Sequence, residues 1–275
     1  MDYEEKVKEF YGGFVQGEWK RLVSDRYHRL EYDTTLRYLE KYLPGKGRVL
    51  DAGGGPGRYA MELARRGYDV ALLDITPANL RFARERAPRA RMEFLQGSVV
   101  DLSRFADRSF DAVLCLGGVL SHVVDPTDRE RAVRELVRVA KDGAPIFVFV
   151  INRTAVLLTF LLKDQDHIEL PVFERYLNTG DYYGEFAFTA HHGFLPEELR
   201  GHFEGRRDVK VLETVGLEGL SSSHPKETIR LARNGPRWRI WLEAHYKTCT
   251  HPSVVGASEH ILAICRKTDP ASGKS

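Results

Sequence analysis

A carboxylate, three glycines and a second carboxylate stand at spacings that suit the binding of a small charged ligand. Asp51 is followed by Gly53, Gly55 and Gly57. Such a loop lets backbone come close to a ligand with no side chain intervening. From Arg58 the pattern turns helical, so the amides of a helix N-terminus face the same spot. Roughly twenty residues on, the apolar run 70–73 ends in Asp74, with Ile75 beside it. An acid there suits a pair of ribose hydroxyls. Three histidines, His122, His191 and His192, are candidate catalytic residues, because imidazole titrates in the range a general base needs. The three cysteines lack metal-ligand spacing, and no metal is expected.

These residues need elements to hold them. Val49-Leu50 ends a short apolar run that reads as a buried strand, and the helix after Arg58 stops at Gly67. Thr76-Pro77 opens the next helix, which runs to about Ala87 and stops at Pro88. Residues 92–95 read as a third strand, 112–116 as a fourth, and 145–151 as a fifth after a helix that starts near Thr127 or Asp128 and ends at Gly143. Alternating strands and helices predict a doubly wound, mostly parallel sheet, an α/β fold of Rossmann-like build. Two more strands are expected at 209–215 and 260–266, the last of them antiparallel. Before the first strand, two helical patterns carry Val7, Phe10, Tyr11 and Phe14, then Leu36, Leu39 and Leu43.

The bulk properties bound the function. A chain of 275 residues suits one large domain with an insertion. Lys+Arg of 41 against Asp+Glu of 39 gives a formal net charge of +2, which is no electrostatic footprint for nucleic acid. The start, MDYEEKVKEF, is charged from its second residue and does not read as a signal peptide. The most apolar window, 144–162, is broken by Pro145, Asn152 and Arg153 and reads as strand then helix, not a membrane span. Cys115, Cys249 and Cys265 read as buried thiols in a reducing cytoplasm.

The glycine loop can be read in two registers. Residues 55–60 fit G-x-G-x-x-A, the dinucleotide fingerprint. Asp51 with Gly53, Gly55 and Gly57 instead resembles the D-x-G-x-G-x-G loop of class I S-adenosylmethionine (SAM) methyltransferases. Electrostatics favours the second: a carboxylate at the mouth of the strand repels a pyrophosphate and attracts an ammonium or a sulfonium, and Pro56 removes an amide donor that a phosphate would want. The resemblance covers residues 46–151 well, and the last two strands by order alone. It implies SAM as cofactor, with the Gly97 loop against adenine. Ser98 stands where the family often has an aspartate that accepts from the adenine amino group, so Ser98 and the Val99 amide become the contacts there. Leu116, at the end of the fourth strand, is a further implied contact. No N/D-P-P-Y sequence follows the fourth strand, which argues against base-amine or glutamine methylation.

The expected organisation is one domain over 1–275: a helical cap at 1–45, a SAM-binding core at 46–151, a substrate lid insertion at 152–203, and the last strands with a helical insertion at 204–275. The N-terminal helices either pack on the sheet edge or cap the cofactor, with Tyr11 or Arg21 reaching the methionine carboxylate. Residues 153–200 hold Phe173, Tyr176, Tyr182, Tyr183, Phe186, Phe188 and Phe194 with His167, His191 and His192 among them, either a sub-domain packing on itself or aromatic walls for an organic acceptor. Arg230, Arg233, Arg237 and Arg239 read as a solvated helix face. The expected function is methyl transfer to a small organic molecule in the cytoplasm, with the acceptor atom (oxygen, nitrogen or carbon) left open. The competing classes are a nicotinamide oxidoreductase, a tRNA methyltransferase and a silent SAM-binding protein.

Overall fold

Strands that are apolar on both faces must be covered on both faces, and this requirement shapes the chain. The computed structural model describes residues 3–87, 91–186 and 188–269. Helices α1 (Tyr3–Arg21) and α2 (Arg26–Tyr42) lead into β1 (Arg48–Ala52), α3 (Arg58–Arg65), β2 (Asp69–Asp74), α4 (Pro77–Arg86), β3 (Met92–Gln96), β4 (Ala112–Cys115), α5 (Pro126–Val139) and β5 (Pro145–Ile151). Then follow α6 (Arg153–Lys163), α7 (Pro171–Thr179), β6 (Asp181–Tyr182), β7 (His191–His192), α8 (Pro196–Gly201), β8 (Val209–Gly216), α9 (Pro225–Ala232), α10 (Gly235–Thr248), α11 (Pro252–Val255) and β9 (His260–Lys267).

The main sheet has seven strands in the order β3-β2-β1-β4-β5-β9-β8, and β6 pairs with β7 in a separate ladder. The ladders from β3 to β5 are parallel, and β9 runs antiparallel to both of its neighbours. Successive side chains alternate across the sheet, so the strands feed two cores. Leu50, Ala52, Leu73, Val113 and Cys115 join α5 on one side. Val49, Leu72, Leu114, Phe147 and Phe149 meet α2 and α3 on the other. All three cysteines are buried and free.

Two expectations need correction. The strand–helix alternation fails between β3 and β4, where turns replace the helix. Asp101 caps its own turn by accepting from the Ser103 amide at 3.0 Å. Arg138 of α5 donates to the Leu102 and Phe105 carbonyls, both at 2.9 Å, so this backbone is satisfied without helical bonds. The N-terminal helices also divide their work. α2 buries Leu30, Tyr38 and Leu39, while α1 has one buried residue, Val7, and leaves Phe14 45% exposed.

The 152–203 segment packs on itself. Phe160, Val172, Tyr176 and Tyr182 form their own cluster. It leaves and rejoins the sheet at one place: Arg153 N–H donates to the Phe194 carbonyl and Phe194 N–H to the Ile151 carbonyl, each at 2.9 Å. Asn152 fastens that junction by donating to the Gly256 and Ser258 carbonyls at 3.0 and 2.7 Å. Arg230, Arg233, Arg237 and Arg239 are exposed, as a solvated face should be. Among the described residues, no helix is long and apolar enough to cross a membrane.

Candidate functional site

The glycine loop is tied down before any ligand is considered. Gly53 N–H donates to the Leu73 carbonyl at 2.7 Å, and Gly55 N–H donates to Asp74 Oδ2 at 2.8 Å. A Cβ on Gly54 would lie 2.4 Å from both Asp51 Oδ2 and Leu72 Cδ1, so no other residue fits. Gly55 adopts a φ of 56°, in the left-handed region that favours glycine.

Around this loop lies a cavity of about 540 Å³. Its floor is the carboxyl ends of β1 to β4, its roof is α1, and Asp181 and Tyr183 close one end. Ligands in open parallel sheets bind at such strand ends. Asp51 is fully buried beneath the loop, and neither carboxylate oxygen has a hydrogen-bond partner in the protein. Burial, with the Asp74 charge adding to it, raises its pKa to about 7. Asp74 accepts from Gly55 N–H, from Thr76 N–H at 2.8 Å and from Asn79 Nδ2 at 3.2 Å. Burial still holds its pKa above the usual carboxylate range.

His122 ends a single 3-10 turn, Val119–His122, that follows β4. Its Nδ1 lies 2.9 Å from the Ala190 carbonyl, which can only accept. Nδ1 therefore carries the proton, and Nε2 accepts from the Tyr11 hydroxyl at 2.9 Å. Burial lowers the His122 pKa to about 4, so the ring is neutral with its lone pair fixed at the cavity wall. Arg21 of α1 also lines the cavity, its guanidinium gripped by Glu31 at 2.5 and 3.0 Å and by Glu18 at 3.2 Å. Glu31, Glu218 and His260 could be bridged by one ion. Their atoms are already taken up, however, Glu31 by Arg21 and Glu218 by Ser258 and His260.

Residues 50–148 match the model of the methyltransferase domain family. Over these residues the chain carries a methyltransferase domain. A ubiquinone biosynthesis O-methyltransferase of Xanthomonas axonopodis is 33% identical over 136 residues, 48% of this chain and 55% of that one. One from Xylella fastidiosa is 30% identical over 164 residues, 58% of this chain and 64% of that one. The chain thus spans little more than half the length of the first of these curated relatives. A SAM-dependent methyltransferase from Methanosarcina mazei superposes with a TM-score of 0.54 at 22% identity, over 84% of this chain and 96% of that one. One from Thermotoga maritima, described as a possible histamine N-methyltransferase, gives 0.54 at 21%, over 95% and 99%. At such identities the likeness carries the fold alone.

The residues present fit SAM, the cofactor of this family. An orphaned, buried carboxylate beside the cavity suits a cation, and the Gly53–Gly55 backbone leaves the approach open. Of the cofactor residues expected from sequence, Asp51, Gly53, Gly55, Asp74, Ile75, Ser98, Val99, Leu116, Tyr11 and Arg21 all line the cavity. Gly57 does not; a Cβ on it would press on Leu72 and Ala83, so it serves the packing of α3.

Of the three histidines proposed as bases, only His122 reaches the cavity. His191 is buried against Tyr176, Tyr182 and Phe188, with Nδ1 on the Thr189 carbonyl. His192 is clasped between Asp181 and Glu198, each 2.6 Å from a ring nitrogen. Both ring nitrogens are taken up by carboxylates, so neither is open to a substrate. Alternation along β7 sends the His191 ring into the insertion's aromatic cluster and the His192 ring to the other side, against Phe194. Reading the sequence missed Glu4 and Glu18 of α1 and Arg58, all at the cavity. A helical register anchored on Val7 and Tyr11 would have put Glu4 and Glu18 on the same face, at i−3 and i+7.

Proposed function

We propose that the chain transfers the methyl of SAM to the hydroxyl of a small organic acceptor, with His122 as base acting through Tyr11. The observation that carries this reading is the Nε2 lone pair of a neutral His122, held by the Tyr11 hydroxyl at the cavity wall. The O-methyltransferase names of the curated relatives point the same way. When bound, SAM supplies a methyl carbon already activated by its sulfonium.

The chain's part is to bind, orient and move one proton. Asp51 and Asp74 would hold the cofactor's cationic and ribose portions, and α1 would exclude water. Tyr11 donates to His122, so its own oxygen is free to accept from an acceptor hydroxyl. As the acceptor oxygen takes the methyl and the methyl–sulfur bond breaks, its proton would pass to Tyr11 and the phenol's proton to Nε2. One positive charge would then replace another, the imidazolium's for the sulfonium's, so the burial that depresses the His122 pKa would oppose this step far less. A carboxylate under the glycine loop disfavours the dinucleotide alternative.

Rates and S-adenosylhomocysteine affinities of His122→Asn and Tyr11→Phe test the proposal. Each should lose 10²–10⁴-fold in rate, the usual size of general-base assistance, with affinity for the product cofactor nearly unchanged. A His122→Asn enzyme that methylates hydroxyl acceptors at the parent rate would sink the reading. So would a parent that binds NAD and not S-adenosylhomocysteine.

A further inference from the structure

The third strand's end lacks the carboxylate that the resemblance leads one to expect, and the roof brings one to the same place. Ser98 Oγ donates to Glu4 Oε2 at 2.6 Å, and both residues line the cavity. Glu4 belongs to the first turn of α1, ninety-four positions away in the chain. Two further contacts hold this end of α1 down: Lys6 Nζ donates to the Tyr183 carbonyl at 3.1 Å, and Tyr3 stacks on Tyr183 at 5.2 Å.

The strand order says what faces Glu4 when cofactor binds. If Asp74 at the end of β2 takes the ribose, the two arms of SAM extend to either side of it. The reacting sulfur must face His122 beyond β4. β3 is the edge strand, on the other side of β2 from β4, so the adenine is left for the corner formed by Gly97, Ser98 and Val99. The 6-amino group of adenine is a donor pair. A carboxylate is acceptor-only and suits it, whereas a 6-oxo purine would set oxygen against oxygen.

We propose that Glu4 reads the 6-amino group of the cofactor's adenine, in place of the carboxylate that Ser98 does not supply. The assignment rests on the SAM reading above. It also makes cofactor binding and the docking of α1 one event, since the residue that reads the base belongs to the roof.

Calorimetric affinities for S-adenosylhomocysteine and for S-inosylhomocysteine, its 6-oxo counterpart, test this in the full chain. The parent should prefer the adenine compound by roughly tenfold or more, the scale of a charge-assisted hydrogen bond at a partly exposed site. Glu4→Gln should reduce that preference to about threefold or less, because a carboxamide can donate to the 6-oxo oxygen. Glu5→Gln, which removes the same charge from the neighbouring position where Glu5 pairs with Lys8, should keep the parent's preference. If Glu4→Gln weakens both ligands equally, Glu4 only holds the helix and the assignment falls. An unchanged preference overturns it as well. A parent that binds neither compound overturns the cofactor reading itself, and the assignment with it.

Discussion

The cavity has a floor and a roof, and they are held by different physics. The floor is backbone: glycine amides on the Leu73 carbonyl and on Asp74, set by five parallel strands whose alternation leaves little freedom. The roof is side-chain tips. α1 touches the rest through side chains that include Glu4 on Ser98, Lys6 on Tyr183, Tyr11 on His122, Arg21 on Glu31, Phe10 against Phe188, and Trp19 under Arg58, whose guanidinium lies 4.0 Å from its ring centroid. It buries one residue, and it carries Gly12, Gly13 and Gly17 inside a helix, where each glycine weakens helix by about 1 kcal/mol against alanine. Such a segment belongs to the low end of the local-stability range. Filling and emptying the 540 Å³ cavity under it should therefore displace the roof more than the floor.

A change in the floor should therefore do most. Asp74→Ala removes the acceptor of Gly55 N–H, Thr76 N–H and the Asn79 amide at once. S-adenosylhomocysteine affinity should fall ten- to hundredfold, the range of one charge-assisted hydrogen bond. A loss beyond that range would measure how much the loop itself depends on Asp74. Parent-like affinity in a folded mutant would remove Asp74 from the site.

The next effect is a titration of the floor. Burial, with the Asp74 charge beside it, pushes Asp51 up to about 7, and a cationic ligand requires it ionised. SAM should bind more weakly as pH falls below 7, by up to tenfold per unit, and binding near pH 6.5 should release a proton that calorimetry in two buffers can count. For stability the sign is opposite. Between 3.8, the ordinary value, and about 7 the folded chain holds a proton there that the unfolded chain has lost, so this group makes the empty protein less stable as pH rises across that window. Binding without proton uptake or release would show that Asp51 is not the cation's partner.

The smallest effect should fall on the roof alone. Gly13 is exposed on α1, and a Cβ there meets nothing within 4 Å. Gly13→Ala should stabilise the helix by about 0.5–1 kcal/mol, slowing amide exchange in α1 two- to fivefold while β1 and β2 exchange as before. Equal slowing in the strands would mean that roof and floor open as one unit.

The same division decided what could be read from the chain. Asp51, Gly53, Gly55 and Asp74 were legible because a parallel strand, a tight loop and a helix start each leave a local signature, and the sheet then brings them together by rule. Val99 and Leu116, just past the third strand and at the end of the fourth, came from the family resemblance. Helical register puts Glu4 and Glu18 on the face of Val7 and Tyr11, but nothing local records that this face of α1 lies over the sheet, and the Glu31 clasp on Arg21 leaves no local signal. His191 and His192 misled for a related reason. Their types suited chemistry, but both are buried away from the cavity on the β6–β7 ladder, His191 among the insertion's aromatic rings and His192, on the alternate side, between Asp181 and Glu198.

The junction at Asn152 and Phe194 has a consequence of its own. A chain that departs from a sheet and returns to the same hydrogen-bonded step has its ends already joined, so the length between them is nearly free to vary: each doubling of a loop adds only about 0.6 kcal/mol to the entropy of closing it. The stretch from 152 to 194 is in that sense a cassette. Its socket is the Asn152 amide on the Gly256 and Ser258 carbonyls, and a segment of different size or composition could be spliced there without disturbing the order of the sheet. Inheritance could change what the cavity accepts by exchanging this insert, provided the new segment again supplies a carbonyl to His122 and a seat for the start of α1.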